Sequence, residues 1–177
     1  MSRIGLLLAG GVLAACSAIP LDTPSSTALP QSNGGSGDIT LCTVLTLDEV
    51  RAKTPFQTPL ASAHGDEDKC EYRSDEDAGD QVSIVVKADD YASARKAKSA
   101  LDDARQAAVD HGLPVTDIAD LGDDAFASGV DEVSVQAVAG DRLVTVTLQG
   151  EWPDTTDDAK VAAGTELVRT MISRLAT

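Results

Sequence analysis

Few side chains in this sequence are placed for nucleophilic or acid–base chemistry. There are two histidines, His64 and His111. Nucleophilic catalysis needs a base held by a third group. His64 sits in the polar stretch His64-Gly65-Asp66-Glu67-Asp68, and no Gly-x-Ser-x-Gly elbow accompanies either histidine. His111 falls at the end of a predicted helix, where a cation is favoured for structural reasons. Carboxylate pairs are plentiful: Asp66/Asp68, Asp75/Asp77, Asp123/Asp124 and Asp157/Asp158. Glycosidases use one such pair, but in a chain with 29 acidic residues most pairs are expected to be solvated surface. Asp75-Glu76-Asp77-Ala78-Gly79-Asp80 begins like a calcium loop. Such a loop needs glycine sixth and glutamate twelfth. Here Gly79 is fifth and the twelfth residue is Val86, a strand core position. Asp120, Asp123 and Asp124 read as turn formers. No phosphate-cradling glycine loop, CxxC or dinucleotide fingerprint is present. The expectation is no catalytic residue, no metal and no cofactor. Trp152 and Phe126 are the candidates for lining an apolar groove.

The three cysteines carry more information. Cys16 follows Met1-Ser2-Arg3, an apolar run from Ile4 to Leu13, and Leu13-Ala14-Ala15. The run is shorter than the roughly 20 residues a membrane-spanning helix needs, and it suits the apolar region of a signal peptide. Leu13-Ala14-Ala15-Cys16 resembles the lipobox of bacterial lipoproteins. That resemblance implies diacylation of the Cys16 thiol and cleavage just before it, so residues 1–15 would be removed. Two or more acyl chains anchor stably where one does not. The mature chain is then expected at the cell membrane, lipid-anchored and facing the extracytoplasmic side. Cys42 and Cys70 remain as one pair. Outside the cytoplasm a disulfide is the natural reading. Free thiols or a metal pair are the rivals, though two cysteines and two distant histidines make no recognisable zinc spacing.

Residues 16–41 read as the lipidated cysteine and a flexible linker. They include Pro20, Pro24, Pro30, Ser25-Ser26-Thr27 and Asn33-Gly34-Gly35-Ser36-Gly37, a composition unable to offset the entropy of ordering. Residues 42–177 are then one domain of about 135 residues, enough for a real core. The chain is 42% hydrophobic and 24% charged, which is globular. Its 3% aromatics require an aliphatic core. The net charge of −15 excludes nucleic acid, whose phosphates need clustered Lys and Arg. It also opposes electrostatic docking on a membrane surface.

The elements that would position these side chains can be read from local signals. Thr46-Leu47-Asp48-Glu49 is a capping box, opening a short helix from Leu47 to Lys53 that Thr54-Pro55 ends. Phe56 to Lys69 reads as polar and irregular. Cys70 to Arg73 reads as a short strand with Tyr72 half-buried, followed by an acidic turn from Ser74 to Asp80. Gln81 to Ala88 alternates as a strand, with Val82, Ile84 and Val86 on one face. A helix is predicted from Tyr91 to His111, burying Tyr91, Ala94, Leu101, Ala104 and Ala108. Gly112 and Pro114 stop it. Asp120 to Phe126 reads as a turn into a short strand around Ala125. Strands follow from Glu132 to Ala139 and Leu143 to Gln149, joined by a type II′ turn at Gly140-Asp141. A last helix, begun after Trp152-Pro153-Asp154, would bury Val161, Val168, Met171, Ile172 and Leu175. The order α-ββα-βββα predicts an α+β fold: an antiparallel sheet of about four to five strands with helices packed on it, and one disulfide.

Cys16, Cys42-Thr43-Val44-Leu45-Thr46-Leu47-Asp48-Glu49-Val50, Cys70-Glu71-Tyr72 and Asp120-Leu121-Gly122-Asp123-Asp124-Ala125 together resemble a family of actinobacterial lipoproteins, the one described as domain of unknown function 3558. Members often carry tryptophan where Tyr72 stands. The resemblance covers nearly the whole mature domain and implies a cell-envelope lipoprotein without known catalytic residues. The expected function is therefore non-enzymatic: an accessory or protein-binding domain held at the membrane through Cys16, its partner an envelope protein. The alternative is a carrier or sensor of a small or lipidic ligand, held in a pocket between sheet and helices.

Overall fold

A computed structural model describes residues 40–54, 60–75, 77 and 81–176. The expected signal peptide, Cys16 and nearly all of the expected linker lie outside the described residues.

The described chain runs α1 (Leu41–Val44), α2 (Leu47–Lys53), β1 (Leu60–Gly65), β2 (Lys69–Ser74), β3 (Ser83–Asp90) and α3 (Ala94–Asp110), then β4 (Val115–Asp117), β5 (Asp124–Ser128), β6 (Val133–Ala139), β7 (Arg142–Gln149) and α4 (Asp157–Leu175). The strands form one sheet in the order β1-β2-β3-β7-β6-β5-β4. Every neighbouring pair is antiparallel. The α+β class holds, but the sheet has seven strands rather than four or five. The additional strands are its two edges. β1 lies inside the stretch expected to be irregular, and β4 is only three residues long.

Period-two alternation sorts the side chains onto two faces. On one, Val144, Val146 and Leu148 of β7 meet Leu167, Val168 and Met171 of α4, with α1 and α2 extending the layer over β1 and β2. Gly164 lets α4 approach closely: a Cβ there would lie 2.8 Å from Val135 Cγ2. On the opposite face α3 covers Phe126, Val138 and Leu143 with Ala97 and Leu101. This helix starts three residues later than expected because Ser93 caps it, accepting a hydrogen bond from the Lys96 amide. Tyr91 therefore precedes it, and Ala97 rather than Ala94 is buried.

Several local signals act as read. The Glu49 carboxylate accepts hydrogen bonds from the Thr46 amide and hydroxyl, each at 2.9 Å. Gly140, at φ 63°, makes the two-residue turn between the paired residues Ala139 and Arg142. Cys42 and Cys70 form a disulfide that ties α1 to β2. Tyr72 is fully buried rather than half-buried, because its hydroxyl donates to the Leu45 carbonyl across the same junction. Leu41 is core as well, so the folded region begins before residue 42; its amide donates to Asp66 O at 2.8 Å.

Candidate functional site

The two faces of the sheet are not equally covered. α3 packs against β4 to β7. Among the described elements no helix packs comparably over β1, β2 and β3 on that side. The register places there Ser62 and His64 of β1, Lys69, Glu71 and Arg73 of β2, and Ser83, Val85 and Lys87 of β3. Thr145, Thr147 and Gln149 of β7 and Ser134 and Gln136 of β6 continue the surface. Strand alternation dictates the pattern: on β2, β3, β6 and β7 each of these residues neighbours a buried residue, such as Cys70, Tyr72, Ile84, Val86, Val135, Val146 or Leu148, that faces the other way.

Neutral hydrogen-bonding groups dominate the middle of this face. Ser83 Oγ donates to Gln149 Oε1 at 3.1 Å, and the Ser134 and Thr147 hydroxyls lie 3.3 Å apart. The charges are largely paired. Arg73 Nε donates to Glu71 Oε1 at 2.9 Å, and Lys69 Nζ lies 3.7 Å from Glu71 Oε2. The Arg73 hydrogen bond holds the Glu71 carboxyl below the usual range, and Lys69 adds to it. Glu71 is thus an ionised acceptor and a poor proton donor. At the Arg73–Gln149 end of the strands the face opens into a hollow of about 600 Å³. Glu71, Arg73, Ser83, Gln149, Gln81 and Gly150 are among its lining residues. This geometry offers hydrogen bonds and paired charges to a polar surface.

The residues singled out in the sequence are dispersed. Trp152 and Phe126 are both buried, in separate clusters on opposite sides of the sheet. Neither lines the hollow. The low aromatic content explains this: among the described residues the rings of Tyr72, Phe126 and Trp152 are all consumed by the core. His64 lies on the edge strand β1, while His111 caps α3 near the far edge. The acidic pairs largely hold the fold. Asp123 Oδ2 accepts from the Gly140 amide at 2.7 Å, stapling the β6–β7 turn. Asp124 binds Lys98 at 2.7 Å and Arg105 at 2.8 Å, fastening α3 to the sheet. Asp157 stands in the first turn of α4. Asp66 accepts from the Lys69 amide in the β1–β2 turn. Among the described residues no group of three or more His, Cys, Asp or Glu could hold a metal ion. Glu76, Ala78, Gly79 and Asp80 of the calcium-like stretch lie outside the described residues.

Sequence reasoning missed the open face, since its residues are ordinary outward-facing strand positions until topology shows which side α3 leaves bare. It also missed Lys160, a buried lysine whose Nζ donates to Asp131 O at 2.7 Å. Its place on the inward stripe of α4 was the available signal. Among the described residues no helix is long and apolar enough to cross a membrane. No protein-family model, no curated protein and no solved structure matches the chain.

Proposed function

We propose that this chain is a membrane-anchored extracytoplasmic lipoprotein that works by binding an envelope protein, without catalysis, through the open face of its sheet. The observation that carries the binding reading is that face itself, a broad polar surface that no described helix covers, beside a part of the sheet layered on both sides. The disulfide supports an oxidising compartment. The lipobox sequence ending at Cys16 supports export and lipidation, and the resemblance to the actinobacterial lipoprotein family agrees with both. Thr40, the first described residue, stands beside Leu41, which is bound to Asp66 in the β1–β2 turn. The hollow lies at the opposite ends of the strands, by the Arg73–Ser83–Gln149 register.

A carrier of lipidic ligand is less well supported. The interface between sheet and α4 is filled by Val144, Val146, Leu148, Leu167, Val168 and Met171, while the hollow is polar and suits at most a small polar ligand.

Two measurements test the proposal. Cys16→Ala should release the protein from the membrane or leave an uncut precursor; retention that resists a salt wash defeats the anchor. A photo-crosslinking residue at Lys87, on the open face, should capture an envelope protein that the same residue at Arg169, on the outer side of α4, does not. Equal capture at both positions, or none, defeats the binding face.

A further inference from the structure

Among the described residues three large apolar side chains are strongly exposed: Val109 at 53%, Leu113 at 41% and Val130 at 53%. All three stand at the junction where α3 ends, β4 begins and β5 ends. Val109 and Leu113 are about one turn apart where α3 ends. The Leu113 amide donates to Ala108 O at 3.0 Å and the Gly112 amide to Val109 O at 2.9 Å, a Schellman closure. The Gly129 amide then donates to Pro114 O at 3.3 Å. This bond continues the β4–β5 pairing beyond Val115–Ser128 and brings Leu113 beside Val130.

The turn that carries Val130 is tightly built. Gly129 has φ 114° and Asp131 φ 64°. The Glu132 amide donates to Val130 O at 2.7 Å. The Asp131 carbonyl is held by Lys160 Nζ at 2.7 Å, and Lys160 itself is only 4% exposed. Burying an ammonium is costly unless it is well bonded, and here it pins a turn whose tip points an apolar side chain at solvent. Turn geometry explains Gly129 and Asp131; it does not call for valine between them. The exposed residues around the junction include Asp110, Asp131 and Glu132.

We propose that Val109, Leu113 and Val130 form a docking surface for a protein segment bearing an apolar anchor flanked by Lys or Arg. This rests on the protein-binding reading and adds a second surface to it. The carboxylates choose the occupant. They favour a basic flank, and with a chain charge of −15 they oppose both an anionic bilayer and a second copy of the chain. Three side chains make a small contact, suited to a short segment in a transient complex.

The test is an NMR titration of the full chain with a short peptide carrying leucine between lysines, against a control with glutamates replacing the lysines. Shifts should concentrate on residues 108–115 and 128–132. Added salt should weaken binding, and Val130→Ser should weaken it about tenfold, leaving the fold intact because the side chain is exposed. Shifts spread over the acidic surface, or affinity unchanged in Val130→Ser, overturn the proposal. So does a patch-dependent dimer in sedimentation, or patch-dependent binding to anionic vesicles. If the junction stays silent while Lys87 still crosslinks, only this inference fails and the open-face reading survives.

Discussion

Arg174, in the last turn of α4, grips Glu49, in the first turn of α2, with both ends of its guanidinium; one of the two contacts, from Nη1 to Oε2, measures 2.9 Å. The residues stand 125 positions apart. Glu49 also caps its own helix through Thr46, so one carboxylate serves a local and a long-range purpose. Arg174 further donates to the Val44 carbonyl, closing α1, α2 and α4 into one layer.

That carboxylate makes stability depend on acid. Its bonds to Arg174 and Thr46 lower its pKa from the ordinary 4.5 to about 2. A carboxyl whose pKa falls on folding stabilises fully above its unfolded pKa and progressively less as pH drops towards the folded value. Unfolding followed between pH 5 and 2 should therefore show a loss that Glu49→Gln removes in part. The two side chains are 40% and 35% exposed, so solvent screening keeps the effect small. An identical acid slope in the variant would show that the pair contributes nothing.

The disulfide closes a sequence separation of 28 residues. Chain entropy assigns such a loop about 3–4 kcal/mol. The double variant Cys42→Ala, Cys70→Ala should lower the denaturant midpoint accordingly. The native protein should show no thiol at either position in a reagent assay without reductant.

Asp124 should govern how firmly α3 sits on the sheet. Hydrogen bonds from Arg105 and then Lys98 lower its pKa to about 2. Arg105 also lies over the Phe126 ring, 5.0 Å from its centre. Asp124→Asn should cost about 1–2 kcal/mol. Hydrogen exchange should quicken along residues 94–110 more than along α4; uniform quickening would mean that the pairing is not local.

Lys160→Met keeps the buried stem and removes the ammonium from the Asp131 carbonyl. The unpaired carbonyl should cost about 1–3 kcal/mol. Amide exchange at residues 129–132 should rise first. Unchanged exchange there would remove the pinning role of Lys160.

Inference from sequence worked where the signal is local. The Ser93 cap starts α3 three residues later than the apolar spacing from Tyr91 suggests, whereas Gly112 ends it where expected. The edge strands escaped notice for a physical reason. Each pairs on one side only within the sheet, β1 carries a register shift between Leu60 and Ser62, and β4 is too short to alternate. Residue type marks Trp152 and Phe126 as groove-lining candidates, but burial is set by neighbours far along the chain, and both are core.

The sequence by itself determined the helix caps, the central alternating strands, the β6–β7 turn and the α+β class, because those signals act over a few residues. It also made Cys42 and Cys70 the natural pair. Only the tertiary structure decided the strand order, the face α3 leaves open, the hollow beside Arg73, and the junction that carries Val109, Leu113 and Val130. Those features depend on where α3 lies across the sheet, and its contacts there join residues from four different strands. No local pattern encodes which outward-facing positions a distant helix will cover.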